Sequence, residues 1–359
     1  MKKIVTILGA RPQFVKAAVL SRVILKHREV EEIIVHTGQH YDANMSDIFF
    51  SEMEIPKPKY NLAINGLSHG AMTGQMLMKI EEVLLVERPD LVVVFGDTNS
   101  TLAGALAAKK MHIKVVHIEA GLRSFNMKMP EEINRILTDR ISDLLLCPTD
   151  IAIDNLVNEG FENMPSKIVK SGDIMKDAVE YYSQFSEEKS TIISKLKLEK
   201  DKFVLATIHR QENTDDLVNL KSIFSGLETI SKDKIVVLPL HPRTKGILKA
   251  NNLAFNVKII DPVGYFDMLE LLKNCNLVIT DSGGLQKEAF FNKKYCIIAR
   301  NETEWLELVS NGFAKIVGTN TIKMIEAYNS FQKSAMNFDV DLYGSNVGEN
   351  MYNEIMKIL

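Results

Sequence analysis

The stretch Asp90-Leu91-Val92-Val93-Val94-Phe95-Gly96-Asp97-Thr98 decides the fold, together with Val115-Val116-His117-Ile118-Glu119-Ala120-Gly121-Leu122-Arg123 and Pro130-Glu131-Glu132-Ile133-Asn134-Arg135. Leu91 to Phe95 is an unbroken apolar run ending in Gly-Asp, and Val115 to Ile118 is a second run ending in Glu-Ala-Gly. Short Val/Ile/Leu runs bounded by Gly and separated by helix-length segments are the pattern of central strands in a parallel sheet covered on both faces. The C-terminal ends of such strands open onto the crevice where ligands bind in open α/β sheets. Asp97, Glu119 and Glu131 are therefore expected to meet in space. Taken singly, each has a structural reading, because Gly-Asp suits a turn and Pro-Glu-Glu is an ordinary helix start with favourable first-turn charges. Two strand ends and a loop that each deliver a carboxylate point instead to chemistry.

Outward from this rim, 359 residues suffice for two domains of ordinary size. The 43 basic and 46 acidic residues leave a formal charge of −3, which argues against a nucleic-acid face. The N-terminal run Ile4 to Leu8 is too short for a signal peptide, and no apolar window reaches membrane-spanning length, so a cytoplasmic protein without membrane contact is expected. Cys147, Cys275 and Cys296 stand alone among apolar neighbours, without metal or disulfide spacing, and read as core. Only ten of the basic residues are Arg, and Arg11, Arg123, Arg135, Arg140, Arg210, Arg243 and Arg300 lie in or beside motif-like stretches. The guanidinium fork matches carboxylate and phosphate oxygens, so this distribution points to anion binding.

Lys3 to Leu8 reads as the first strand, followed by Gly9-Ala10-Arg11-Pro12-Gln13 and an amphipathic helix from Phe14 to Lys26. The turn lacks the Gly-x-Gly-x-x-Gly spacing of a dinucleotide site; Arg11 and Lys16 are instead placed to reach a diphosphate. Glu32 to His36 is a strand whose terminal loop, with Gln39 and His40, lines the same crevice. Residues 44–68 read as irregular, 68–87 as a helix, and later strands fall at 144–147 and 168–170. Residues 176–201, rich in Glu, Lys and Ser, read as linker helices between a first domain of residues 1–175 and a second of 202–344. The second repeats the alternation, with strands at 203–208, 235–238, 257–260, 277–279 and 295–298. Two doubly wound α/β domains with a cleft between them is the fold this order implies.

The second half also ends its strands in polar clusters: His209-Arg210-Gln211-Glu212-Asn213 and His241-Pro242-Arg243. The run Leu277 to Thr280 leads through Asp281-Ser282-Gly283-Gly284 into a helix. Glycine lets backbone approach an anion, the free amides of a helix start point at it, and Ser282 adds a hydroxyl. Glu288, one turn along, is placed to accept both hydroxyls of a ribose.

In order, Gly9-Ala10-Arg11-Pro12, Gly96-Asp97-Thr98, His117-Ile118-Glu119-Ala120-Gly121-Leu122-Arg123, Pro130-Glu131-Glu132-Ile133-Asn134-Arg135, His209-Arg210-Gln211-Glu212-Asn213 and Asp281-Ser282-Gly283-Gly284-Leu285-Gln286-Lys287-Glu288 closely resemble the non-hydrolysing UDP-N-acetylglucosamine 2-epimerase family. The resemblance covers nearly the whole chain. It implies two Rossmann-like domains in a glycosyltransferase-B-like arrangement with the active site in the interdomain cleft, the last helix, 345–359, returning to the first domain, and a homodimer. It implies no nicotinamide and no metal. The C2 proton of a UDP-2-acetamido sugar is removed as UDP leaves C1, giving a glycal, and UDP re-adds as C2 is reprotonated on the opposite face. Opposite faces need two groups, each with its own protonation state. By motif, Asp97, Glu119 and Glu131 are the acid/base candidates; His209 and Arg11, assisted by Lys16, stabilise the departing diphosphate; and Ser282, Gly283, Gly284 and Glu288 hold UDP, with Gln39, His40, Arg123, Arg210, His241 and Arg300 as further binding candidates.

Arg300-Asn301-Glu302-Thr303-Glu304-Trp305-Leu306-Glu307 departs from the Thr-Glu-Arg-Pro-Glu ending of plain UDP-N-acetylglucosamine members. With the Ser124–Met129 connector and the Arg210–Asp216 segment, it resembles the branch acting on UDP-2,3-diacetamido-2,3-dideoxyglucuronate, whose carboxylate would call for Lys128 or Arg123. Ser68-His69 also departs from the Arg/Gln character of the substrate-activator site in the plain branch. The alternatives are a UDP-N-acetylglucosamine 2-epimerase, a hydrolysing 2-epimerase, a glycosyltransferase and a non-catalytic nucleotide-sugar sensor.

Overall fold

The computed structural model describes residues 1–39, 55–335 and 337–359. The chain divides into two compact units, Met1–Ala178 with Asp341–Leu359, and Val179–Val340. Each is a doubly wound parallel sheet flanked by helices, the fold class read from the sequence.

In the first unit, the described residues form seven strands in the order β3-β2-β1-β4-β5-β6-β7. They are β1 (Lys2–Leu8), β2 (Val30–His36), β3 (Tyr60–Asn61), β4 (Leu91–Phe95), β5 (Lys114–Ile118), β6 (Leu144–Cys147) and β7 (Lys167–Lys170). The order reverses between β1 and β4, whose register pairs Ile4 with Leu91 and Ile7 with Val94. That register brings Gly9 and Gly96 to the same edge. β4 is buried along its whole length, as its uninterrupted apolar run requires. The helix Asn99–Lys110 starts at Thr98, whose side chain accepts from Thr101 N. A Cβ on its Gly104 would come within 2.7 Å of Ile7, so this glycine lets the helix lie directly on β1. β3 was not anticipated. Two residues at a sheet edge carry too little periodicity to announce a strand.

The second unit repeats the winding in six strands, β10-β9-β8-β11-β12-β13. These are β8 (Phe203–Thr207), β9 (Ile235–Pro239), β10 (Lys258–Ile260), β11 (Leu277–Thr280), β12 (Cys296–Ile298) and β13 (Ala314–Ile316). β13, three residues paired to β12, was likewise missed. One core runs from Val204 and Ala206 through Leu220, Phe224 and Leu227 to Met324 and Phe331.

The segment read as linker helices differs from that reading in where it belongs. From Val179 onward it counts with the second unit, to which Ser186 Oγ and Ser190 Oγ bond through Glu270 and Asp267, each at 2.6 Å. The terminal helix Val347–Ile358 belongs to the first unit, with Val347, Met351, Tyr352 and Ile355 buried. Tyr352 stacks on His27 at 4.5 Å, and Gly348 lies so close to Val19 that a Cβ would come within 2.8 Å of it. All three cysteines are buried and free. No described helix is long and apolar enough to cross a membrane.

Candidate active site

The switch point of the first sheet is stitched by Gln13. Its Oε1 accepts from Gly9 N at 2.7 Å and Ala10 N at 3.0 Å, while its Nε2 donates to Phe95 O at 2.7 Å and to the hydroxyls of Thr98 and Thr101, both at 3.0 Å. One buried amide thus satisfies both strand-end turns at once, a role the sequence reading missed. Gly9 is required here, because a Cβ would fall 2.0 Å from Ser100 Oγ and 2.4 Å from Thr37 Oγ1. Gln39 joins the same turn, accepting from Ser100 N at 3.1 Å and Ser100 Oγ at 2.9 Å. Arg11 opens the first helix, and His40 lies outside the described residues.

Asp97 and Glu119 come together at the ends of β4 and β5. Gly96, with φ +61°, faces Glu119 so closely that a Cβ would lie 3.2 Å from its Oε2. Glu119 is buried in the left-handed region at φ +69° and forms an ion pair with Lys16. A non-glycine residue held there costs about 1–3 kcal/mol, a strain that collects at functional sites. Asp97 is more open, its side chain 37% exposed, and accepts from Arg135 Nε at 3.1 Å. Asn134 Nδ2 donates to the Asp97 carbonyl at 2.8 Å, so the Pro130–Ile141 helix is docked onto this turn by two side chains. Glu131 is exposed on that helix, one turn before Arg135, and no described contact joins it to Asp97 or Glu119. Its neighbour Glu132 is fully buried and structural: it accepts from Ser124 N at 2.9 Å, Phe125 N at 2.8 Å and Arg135 Nη1 at 2.7 Å.

Arg123 is placed differently from the free binding cation expected of it. Its Nη1 donates to Asp139 and to Leu122 O, both at 2.7 Å, and its Nε and Nη2 clasp Glu159 at 2.6 and 2.9 Å. The guanidinium is consumed in a buried clamp, and among the described residues the free cation near this loop is exposed Lys128. Asp139 also takes His117 Nδ1 at 2.7 Å and Gly121 N at 3.1 Å, while His117 Nε2 lies 2.7 Å from Gly96 O. Burial alone would raise the Asp139 carboxyl, but His117 and Arg123 hold it below the usual carboxylate value. The cluster ties the β5 loop to the Gly96 turn from behind.

In the second unit the switch point lies between β8 and β11, joined at their ends by Thr207 and Thr280 hydroxyls 2.6 Å apart. Ser282 N donates to Thr280 Oγ1 at 2.9 Å, and Ser282 is the N-cap of Gly283–Phe291 with no side-chain capping bond. Uncapped first-turn amides beside two glycines are the arrangement that can receive an anion. Glu288 is buried on this helix. His209 is half exposed and approaches Asp281 at 3.1 Å; Arg210, mostly buried, lies 3.7 Å from Glu212. His241 caps the Pro242–Ala250 helix, its Nδ1 accepting from Arg243 N at 3.2 Å. Arg300 is buried in a two-bond pair with Glu304, both at 2.9 Å. Burial opposes its charge, yet Glu304 raises it above the usual guanidinium value. Arg300, Glu304 and the indole nitrogen of Trp305 all lie within 3.9 Å of where a Gly283 Cβ would sit, so the departing motif borders this turn. No group of three or more His, Cys, Asp and Glu among the described residues is arranged to hold a metal.

Residues 22–356 match the family described as UDP-N-acetylglucosamine 2-epimerase. The chain is 54% identical over 343 residues to the UDP-2,3-diacetamido-2,3-dideoxy-D-glucuronate 2-epimerase of Pseudomonas aeruginosa, covering 95% of this chain and 96% of that one. Among solved structures it is similar to the Methanocaldococcus jannaschii UDP-GlcNAc 2-epimerase in complex with UDP-GlcNAc and UDP, with a TM-score of 0.91 and 42% identity over 99% of this chain and 100% of that chain. The Neisseria meningitidis UDP-GlcNAc 2-epimerase bound to UDP-GlcNAc follows, with a TM-score of 0.89 and 30% identity over 99% of this chain and 100% of that chain.

Proposed function

Because the chain belongs to the UDP-N-acetylglucosamine 2-epimerase family, we propose that it inverts C2 of a UDP-2-acetamido sugar without hydrolysis, with UDP-2,3-diacetamido-2,3-dideoxyglucuronate as substrate. The observation that carries the substrate is the 54% identity to the Pseudomonas aeruginosa enzyme. A second reading, UDP-N-acetylglucosamine to UDP-N-acetylmannosamine, is favoured by the likeness to the Methanocaldococcus jannaschii structure.

In the proposed reaction, Asp97, Glu119 and Glu131 handle the two proton transfers at C2. Two chemically different holders support this division. Glu119 is buried and paired with Lys16, whereas Asp97 is partly open and oriented by Arg135; groups in such different settings are suited to separate acid and base roles. UDP is held by Ser282, Gly283, Gly284 and Glu288, with Arg210, His241 and Arg300 bordering it. His209, Arg11 and Lys16 stabilise the diphosphate as it departs. Gln39 and His40 contribute from the β2 loop, and Lys128 rather than Arg123 meets the uronate. The reaction draws on cytoplasmic UDP-sugars for surface polysaccharide precursors. The assembly is a homodimer, for which exposed Met78 and Leu85 on one helix and Ile133 and Leu137 on another offer apolar surface.

The test is turnover of both UDP-sugars in deuterated water. Deuterium at C2 and the C2 epimer, with faster turnover of the uronate, is the expected result. No C2 exchange with either sugar, or release of free sugar as the product, overturns it.

A further inference from the structure

Asp281 follows β11 and stands immediately before the Ser282-Gly283-Gly284 turn. Its side chain is wholly buried, yet it faces His209, whose side chain is 54% exposed, with Oδ1 3.1 Å from the ring Nδ1. The same carboxylate accepts from the backbone N–H of His209 at 3.1 Å and of Arg210 at 3.0 Å, and from Asn213 Nδ2 at 3.0 Å. Burial would raise this carboxyl, but its donors, His209 foremost, hold it below the usual value, so it remains an acceptor. Asn213 Nδ2 also reaches Ala299 O at 3.0 Å, which anchors the loop from a third strand end.

We propose that Asp281 is the positioning residue for His209, fixing a hydrogen on Nδ1 and turning Nε2 toward the diphosphate bound at the neighbouring Ser282–Gly284 turn. The inference rests on the nucleotide-sugar reading of that turn. An ionised carboxylate offers no hydrogen, so the nitrogen facing it is the donor. Nε2 is then the ring atom that gains or gives a proton. A single residue links the two halves of the anion site, because the backbone that carries Asp281 continues directly into the phosphate cradle. A histidine oriented by a buried carboxylate loses most of its catalytic value when the tautomer is wrong, even with geometry intact.

The experiment combines Asp281→Asn, His209→Gln and the double variant with nitrogen-15 NMR of the His209 ring. The wild-type ring is expected to show the Nδ1–H tautomer, and Asp281→Asn to abolish that preference. Asp281→Asn is expected to lower kcat about 100-fold while KM changes less than about threefold, the signature of an interaction used in the transition state. The double variant is expected to be no slower than His209→Gln alone. An Nε2–H tautomer in the wild-type protein overturns the proposal without any variant having to fold. So does an unchanged tautomer in Asp281→Asn, or losses that multiply in the double variant. The ring spectrum needs no substrate, so a wild-type protein with no C2 exchange defeats the epimerase reading while leaving this one to be decided on its own evidence.

Discussion

Asp97 and Glu119 are held by different means, and the difference predicts how their replacement will fail. Glu119 is buried, strained at φ +69° and paired with Lys16. Changing it to Gln removes the proposed proton-transfer group and leaves a buried ammonium without its counter-charge, so Glu119→Gln is expected to lower kcat by at least about 100-fold and stability by about 1–3 kcal/mol. Glu131 is exposed and has no described partner, so Glu131→Gln is expected to reduce C2 exchange to a similar degree with less than about 0.5 kcal/mol of stability lost. Exchange rates and urea midpoints on both variants check the pair. A Glu131→Gln enzyme with full activity removes that residue from the acid/base set.

At the scale of elements, two carboxylates of the first unit, one on a strand and one at a helix end, respond to pH in opposite directions. Glu32, on β2, accepts from Thr6 Oγ1 at 2.6 Å, and burial pushes its carboxyl up against the opposing bond from Thr6. The folded state therefore retains that proton more readily than the unfolded chain, and stability falls as pH rises from the ordinary carboxylate value through the folded one. Glu32→Gln, which keeps an acceptor for Thr6, is expected to raise the melting temperature at pH 7 by roughly 2–4 °C and to make no gain at pH 4. Glu87 behaves oppositely. Lys59, Tyr60 and Lys3 hold it down to about 2. Its contribution is present above the unfolded carboxylate value and is lost as pH falls toward 2. Lys59 is largely exposed, so Glu87→Gln is expected to cost only about 1 kcal/mol at pH 7, read from chemical unfolding, and the cost is expected to vanish near pH 2.

For the whole molecule, the first unit contains both chain ends, and the terminal helix covers the first helix with Val347, Met351, Tyr352 and Ile355. Each fully buried apolar side chain of this size is worth about 1.5–3 kcal/mol, and together they rival the total stability of an ordinary domain. Removing residues 341–359 is expected to abolish cooperative melting of the first unit, checked by calorimetry. UDP, which the proposal places on the second unit, is expected to raise apparent stability by about 2.7 kcal/mol at a hundred times its dissociation constant. Absence of that shift would argue against the Ser282–Gly284 cradle.

The apolar runs of β4, β5 and β11 and the Gly-rich turns after them were readable from the amino-acid order, because strand period, burial and turn chemistry are local properties. So was the presence of carboxylates at strand ends. Tertiary structure alone decided which charges are free: Arg123, Glu132 and Arg300 carry the same charges as Lys128 and Glu131 in a sequence pattern, yet the first three are spent on buried partners. It also decided the partners of Gln13 and Asp281, which lie 82 and 72 residues away. Hydrogen bonds of that span depend on strand order and register, which long-range packing sets and no local window of residues contains.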